Sequence, residues 1–364
     1  MKNARPRVAR HVPRRAIGVV LGLMLSVTTL VAAGPTARAA APDLHLTMSG
    51  DVASTANSGK VLDAIAAARP DANVFVGDLG YSADEASWCS FVKSHLGALP
   101  TLLLAGNHEL FADARNGSLA DYLACLPQDS FAVTGTYGSE FYVDLPAQNP
   151  LVRLVMVSPG LTFDRTTWRY SAGDAHYEWT ASTIDDARSR GIGWVVVGAH
   201  TPCLSMGRYG CEMGADLANL LVAKRVDLVV NGHEHLYQRT KQLRNHVSGC
   251  AAIQPGTYDA DCVADDDGSL SRGKGTVFAV VGTAGRRLRS SDLNARDPEA
   301  PWFAAKTASQ YGFLDLRITP ARLEARFVHT GGSVDDSFTI TRKAFPVDAF
   351  DRPPYAAWGT ARPV

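Results

Sequence analysis

Between residues 44 and 231, short apolar runs take turns with longer amphipathic ones, and this alternation restricts the possible folds more than any other feature of the chain. "LHLTMSG" reads as a strand, "SGKVLDAIAAARP" as a helix stopped by its proline, and "ANVFVG" as a buried strand. The rounds continue through "SADEASWCSFVKSHLG" (helix), "LPTLLLAGN" (strand), "LVRLVMVS" (strand), "DAHYEWTASTIDDARSRG" (helix) and "GWVVVGAH" (strand). "GADLANLLVAKRV" and "DLVVNGH" close the series as helix and strand. Strands interleaved with helices predict an α/β fold, a parallel or mixed sheet covered by helices. Beyond residue 240 the pattern switches to strands alone: "GTVFAVVGTAG", "YGFLDLRIT", "ARLEARFVHT" and "VDDSFTITR". The turn "HTGGS" joins the last two, so this end is antiparallel. No Pro/Ser linker and no internal repeat divides the chain, and one domain with two sheets is the economical reading. A composition of 46% hydrophobic and 20% charged residues supports a core of that size.

The ends of those strands carry an unusual set of side chains. They deliver Asp51, Asp78, Asn107 with His108, His200, and His233 with His235. One aspartate at a strand end is ordinarily a cap or turn former, and one histidine there is ordinarily a core residue. Their joint recurrence is not explained by capping, which has no use for histidine. Carboxylates, an amide and imidazoles together suit zinc, manganese or iron better than calcium. The number of groups exceeds what one ion with an open position needs and matches two ions sharing a bridging carboxylate. Glycines precede most of them and permit sharp turns.

The ordered series Asp51, "GDLGY", "GNHE", "GAH", "GHEH" resembles the calcineurin-like metallophosphoesterase superfamily, and "YGFLDLRIT…RFVHTGGSVDDSFTI" resembles its closing strands. The resemblance covers residues 44–342 and implies a four-layer α/β/β/α sandwich of two mixed sheets flanked by helices. Many members carry a histidine two residues after the first aspartate. This chain has Ala53 there, and it has Tyr81 three residues after Asp78. Both departures are similar to purple acid phosphatases, although that subgroup commonly has glycine at the position of Ala53.

Carried over by motif, the resemblance implies that Asp51, Asp78, Tyr81 and His235 hold a first ion, Fe(III). Asp78 would bridge to a second, divalent ion (Fe, Zn or Mn) held by Asn107, His200 and His233. His108 would donate a proton to the leaving group. The implied activity is hydrolysis of a small phosphate monoester by a metal-bound hydroxide. The same site leaves open a phosphodiesterase or nucleotide phosphohydrolase, and the fold a non-catalytic binding protein. "CLSMGRYGC", just after His200, offers Arg208 and Tyr209 as substrate contacts, and "FDRTTWRYSAGDAHYEW" offers Trp168, Arg169 and Tyr170.

The first fifteen residues hold Lys2, Arg5, Arg7, Arg10, Arg14 and Arg15 with no acid, followed by "AIGVVLGLMLSVTTLVAAG" and an A-x-A pattern at Ala37 and Ala39. This predicts a secretory signal peptide over 1–40 and a catalytic domain over 41–342. An uncleaved anchor is the competing reading, and Arg14-Arg15 leaves twin-arginine export open. Residues 343–364 are Pro-rich and read as an irregular tail. In an exported chain the six cysteines predict three disulfides, and proximity pairs Cys203 with Cys211, Cys250 with Cys262, and Cys89 with Cys125. Lys+Arg and Asp+Glu both number 36, so no net field points to a nucleic-acid partner, and oligomeric state stays open.

Overall fold

The computed structural model describes residues 43–110, 116–289, 293, 296–330 and 334–342. The expected signal peptide over 1–40 and the tail over 343–364 lie outside the described residues. Two sheets pack face to face. The first contains β1 (Leu44–Ser49), β2 (Ala72–Val76) and β3 (Thr101–Leu104), mutually parallel. Strand Gly312–Ile318 runs antiparallel beside β1, and Arg322–His329, Val334–Thr341 and Ser269–Ser271 extend that edge. The second sheet has a parallel centre formed by β6 (Val152–Val157), Trp194–Ala199, Leu228–Asn231 and Val277–Val281. Antiparallel strands flank it: β5 (Glu140–Leu145) and β4 (Thr134–Thr136) on one side, Tyr237–Thr240 and Phe303–Thr307 on the other.

The strands are apolar on both faces because both faces are covered. In β2, Val74 and Val76 point into the seam between the sheets, where they meet Met156, Val196 and Val230. Phe75 points the other way, into a layer with Val61, Leu62 and Ile65 of α1 (Ala56–Ala68) and Trp88 and Val92 of α2 (Glu85–Leu96). Below the second sheet, Val195, Val197 and Val229 pack on Ile184 of α4 (Ala175–Ser189) and Leu217 and Leu221 of α5 (Ala215–Ala223). The result is the four-layer α/β/β/α sandwich. A short helix absent from the sequence reading, α3 (Leu119–Cys125), lies against α2 and is joined to it by the Cys89–Cys125 disulfide. The other disulfides are Cys203–Cys211 and Cys250–Cys262. Among the described residues, no helix is long and apolar enough to cross a membrane.

Candidate metal centre

Parallel strands point their carboxyl ends the same way, and in this sandwich the ends of both sheets meet at one edge of the seam. β1 delivers Asp51, β2 delivers Asp78, and β3 leads into a short turn of helix bearing Asn107 and His108. Trp194–Ala199 delivers His200 from the other sheet, and Leu228–Asn231 delivers His233 and His235. Asp51, Asp78 and His233 have φ of 62°, 51° and 69°, left-handed values that only a tight turn held from outside imposes on such residues. Gly77, at φ 91°, sits so close to the imidazole that a Cβ would come within 2.6 Å of His200 Nδ1. A Cβ on Gly106 would meet the Asp78 amide nitrogen, so these two loops touch backbone to backbone.

Within that cradle the polar atoms converge. The Tyr81 hydroxyl lies 2.9 Å from Asp51 Oδ1, 3.1 Å from Asp78 Oδ2 and 3.3 Å from His235 Nε2. His200 Nε2 is 3.2 Å from Asp78 Oδ1, from Asn107 Oδ1 and from His233 Nδ1. Asp78, His200 and His233 each offer a ligand atom, and these atoms lie within 4.8 Å of one another. Asp78 therefore borders two adjacent donor clusters, one with Asp51, Tyr81 and His235, the other with Asn107, His200 and His233. Outer atoms are tied to backbone: His200 Nδ1 sits 2.9 Å from the Val76 carbonyl and His235 Nδ1 2.9 Å from the Arg287 carbonyl. Each contact fixes which ring nitrogen faces the centre.

Electrostatics follow the crowding. Burial alone would raise the Asp51 and Asp78 carboxyls, yet His235 beside the first and His200 beside the second hold both below the usual range. Burial would lower His200, but the Asp78 charge outweighs it and raises the imidazole to about 9. Burial and the two carboxylates push the Tyr81 phenol well up, so without a cation it remains a neutral donor. Two buried carboxylates, a phenol, an amide and three imidazoles within hydrogen-bond reach form a donor set that fits two hard-to-borderline cations.

Residues outside the sequence expectation complete the site. Glu109 is buried and accepts from the Asp78, Leu79, Gly80 and Gly106 amides at 3.0, 2.9, 3.3 and 2.7 Å, clamping the two ligand loops. Burial, reinforced by Asp78, raises it to about 8. Glu212 Oε2 lies 3.0 Å from His233 Nε2. Glu234 accepts from the Tyr209 amide at 2.6 Å and holds the 203–211 loop over the site. Both Glu109 and Glu234 sit inside quoted motifs, "GNHE" and "GHEH", which is the only sequence signal they gave. Tyr209 stacks on His233 with ring centroids 4.2 Å apart, and Arg208 is exposed on the same loop. Tyr170 is not a rim residue: it is buried, and its hydroxyl donates to Glu140 at 2.8 Å. Trp168, half-buried, stacks on His176 beside it with ring centroids 4.3 Å apart.

Residues 39–237, more than half of the chain, match the family described as calcineurin-like phosphoesterase. The chain belongs to that family. Residues 275–337 of this phosphoesterase match a second description, iron/zinc purple acid phosphatase-like protein C. Purple acid phosphatase 15 of Arabidopsis thaliana is 23% identical over 215 residues, 58% of this chain and 34% of its own length. Purple acid phosphatase 18 of the same plant is 25% identical over 285 residues, 74% of this chain and 56% of its own. This phosphoesterase thus spans between about a third and somewhat over half the length of the curated relatives it matches. The yellow lupin seed purple acid phosphatase PPD1 shares the fold, with a TM-score of 0.59 at 19% identity, over 83% of this chain and 54% of that one. The structure of PhoD shares it with a TM-score of 0.51 at 12% identity, over 82% and 70%. The chain is a purple acid phosphatase-like metallophosphoesterase.

Proposed function

We propose that the chain is an exported dinuclear-metal phosphatase that hydrolyses phosphate monoesters. The observation that carries this reading is the placement of Tyr81, whose hydroxyl lies within 3.3 Å of Asp51, Asp78 and His235 while Ala53 offers no ligand. Asp51, Asp78, Tyr81 and His235 would hold Fe(III), for which a hard anionic phenolate is a suitable donor. Asp78, Asn107, His200 and His233 would hold Fe, Zn or Mn in the divalent state. Bound there, the ions would supply Lewis acidity toward phosphoryl oxygens and an acidified water.

The chain's own part is orientation and proton transfer. The His108 amide donates to Asp78 Oδ1 at 3.1 Å, which fixes the turn, and its ring lies 4.3 Å from that of Tyr81 with Nε2 4.0 Å from Asp78 Oδ2. That position beside the bridging carboxylate suits a proton donor to the departing oxygen. Export is supported by the basic-apolar leader and by three disulfides, which persist in oxidising compartments.

Metal analysis with a visible spectrum tests the reading. The purified protein is expected to hold two ions per chain and to show a tyrosinate–Fe(III) charge-transfer band that Tyr81→Phe abolishes. A colourless di-zinc or di-manganese protein would overturn the ferric assignment. His108→Ala is expected to lower kcat by about 10²–10⁴ for poor leaving groups with metal content retained, and unchanged turnover would remove His108 from the mechanism.

A further inference from the structure

A cation lies against the tyrosine of the first donor cluster. Strand Val277–Val281 runs on into "GTAGRRLR", a stretch without a role in the motif series. The backbone of this loop is tied to the cluster itself. The Arg286 amide donates to the Asp51 carbonyl at 2.9 Å, the Arg289 amide to the His235 carbonyl at 3.1 Å, and the Arg287 carbonyl lies 2.9 Å from His235 Nδ1. Just upstream, the Ala284 amide donates to the Gly50 carbonyl at 3.1 Å and the Thr55 hydroxyl to the Gly285 carbonyl at 3.0 Å. Gly285, at φ 139°, lies so close to the start of α1 that a Cβ would strike Ser58. The Cα of Arg286 therefore has a fixed place relative to Asp51 and His235.

From that anchor the exposed Arg286 side chain lays its guanidinium over the Tyr81 ring, 4.0 Å from its centroid. Two imidazoles also border the ring, His108 tilted at 4.3 Å and His235 edge-on at 6.1 Å. Among the described residues no carboxylate pairs with Arg286, whereas Glu234 Oε2 lies 3.6 Å from Arg289 Nη1. A guanidinium keeps its proton at any working pH, so the charge over Tyr81 is constant. A cation over an aromatic face is attracted by the π electrons and draws them toward itself. In Tyr81 the ring shares those electrons with its hydroxyl oxygen, the atom within 3.3 Å of Asp51, Asp78 and His235.

We infer that Arg286 is a positioning residue that acts through Tyr81: it holds the ring over the centre and weakens its oxygen as an electron donor to the first ion. This inference rests on the reading of the site in which Tyr81 binds Fe(III). A phenolate whose π electrons are held by a cation gives them up less readily, so charge transfer from the ring to iron takes more energy. The same withdrawal gives the ferric state less support, and the fixed positive charge of Arg286 opposes the higher ionic charge as well. Both effects make the tyrosine-bound ion easier to reduce. The loop 284–289 thus sets, from outside the coordinating residues, how firmly the centre keeps its ferric form.

The test records the visible spectrum and the reduction midpoint of the metal-loaded wild type, Arg286→Ala, Arg286→Met and Arg286→Lys. Methionine keeps an unbranched chain over the ring and drops the charge, while lysine keeps the charge without the planar stack. The tyrosinate–Fe(III) band is expected to move to longer wavelength in Arg286→Ala and Arg286→Met, with partial return in Arg286→Lys. At one applied potential near the midpoint, the ferric-to-ferrous ratio should rise about 2- to 5-fold in the two uncharged variants. Arg322→Ala, at the end of the first sheet where β1 begins, is the control and should keep both wild-type values. A band that moves in Arg286→Ala but not in Arg286→Met would reduce the contact to packing and overturn the inference. A coloured protein whose band and ratio ignore all three substitutions overturns it too, and leaves the ferric reading intact. A colourless protein overturns the ferric reading, and the role of Arg286 falls with it.

Discussion

Tyr81 acts through the company it keeps rather than through its own acidity. Its phenol is pushed up by burial and by Asp51 and Asp78, so a cation has to supply the drive for deprotonation. The same crowding sets how the metal-free protein responds to pH. His200 is raised from 6.5 to about 9, and the stability it contributes is complete below 6.5 and is lost as pH climbs through 9. Glu109 is raised from 4.5 to about 8, so the folded state favours its neutral form and loses stability over the same upward sweep. The two shifts share a sign. Metal-free protein should be more stable at pH 6 than at pH 9 by on the order of 1–3 kcal/mol, and Glu109→Gln should flatten the slope; thermal melts at the two pH values check both. Ala53 makes a different prediction. It holds φ 58°, a conformation that costs an L-residue about 1–2 kcal/mol and glycine nothing of the kind. Ala53→Gly is therefore expected to leave the melting temperature unchanged or raise it, whereas a helical Ala→Gly such as Ala64→Gly should lower it, at a cost in stability of about 0.5–1 kcal/mol.

At the scale of elements, the loop 203–211 shows how a surface segment is made rigid. The Cys203–Cys211 disulfide closes it, the Ser205 amide donates to Glu299 at 2.8 Å, the Met206 amide to Gln238 at 3.0 Å, and the Tyr209 amide to Glu234. Opening the ring with Cys203→Ser and Cys211→Ser should cost about 2–3 kcal/mol and raise KM through the freed Tyr209, measured by denaturant melts and steady-state kinetics. Elements with an apolar signal were legible in the sequence: the parallel strands of both sheets, helices α1, α2, α4 and α5, and every strand end that feeds the metal centre. What escaped had no such signal. "YQRT", the strand Tyr237–Thr240, is polar yet buried, because Tyr237 and Arg239 both reach Asp336 and Gln238 reaches Ser205. Each buried polar group there has a partner from far along the chain, which no local pattern reveals. β4 is exposed at a sheet edge, and α3 is only seven residues long. Arg286 carries no local signal either: only the path of its loop brings the guanidinium over the Tyr81 ring.

Over the whole molecule, stability rests on the seam between the sheets. Leu154, buried in that seam, should cost about 2–5 kcal/mol when replaced by alanine, read as a shift in the denaturant midpoint. The donor groups are dealt across the same seam. Asp51, Asp78, Tyr81 and Asn107 come from the first sheet's strand ends, while His200, His233 and His235 come from the second's. Any ion held by both sets is a further cross-link between two slabs that pack chiefly through side chains, with a few backbone bonds at their rims such as that from the Gly50 amide to the Val281 carbonyl. A rivet at one edge of a laminate resists peeling, the low-energy way for stacked layers to part. Loading the site should therefore slow amide exchange in β1 and β2 and in Trp194–Ala199 and Leu228–Asn231 together, although these strands share no hydrogen bonds across the seam. Stripping the ions should return all four to faster exchange in step, as one sprung joint rather than four separate strands.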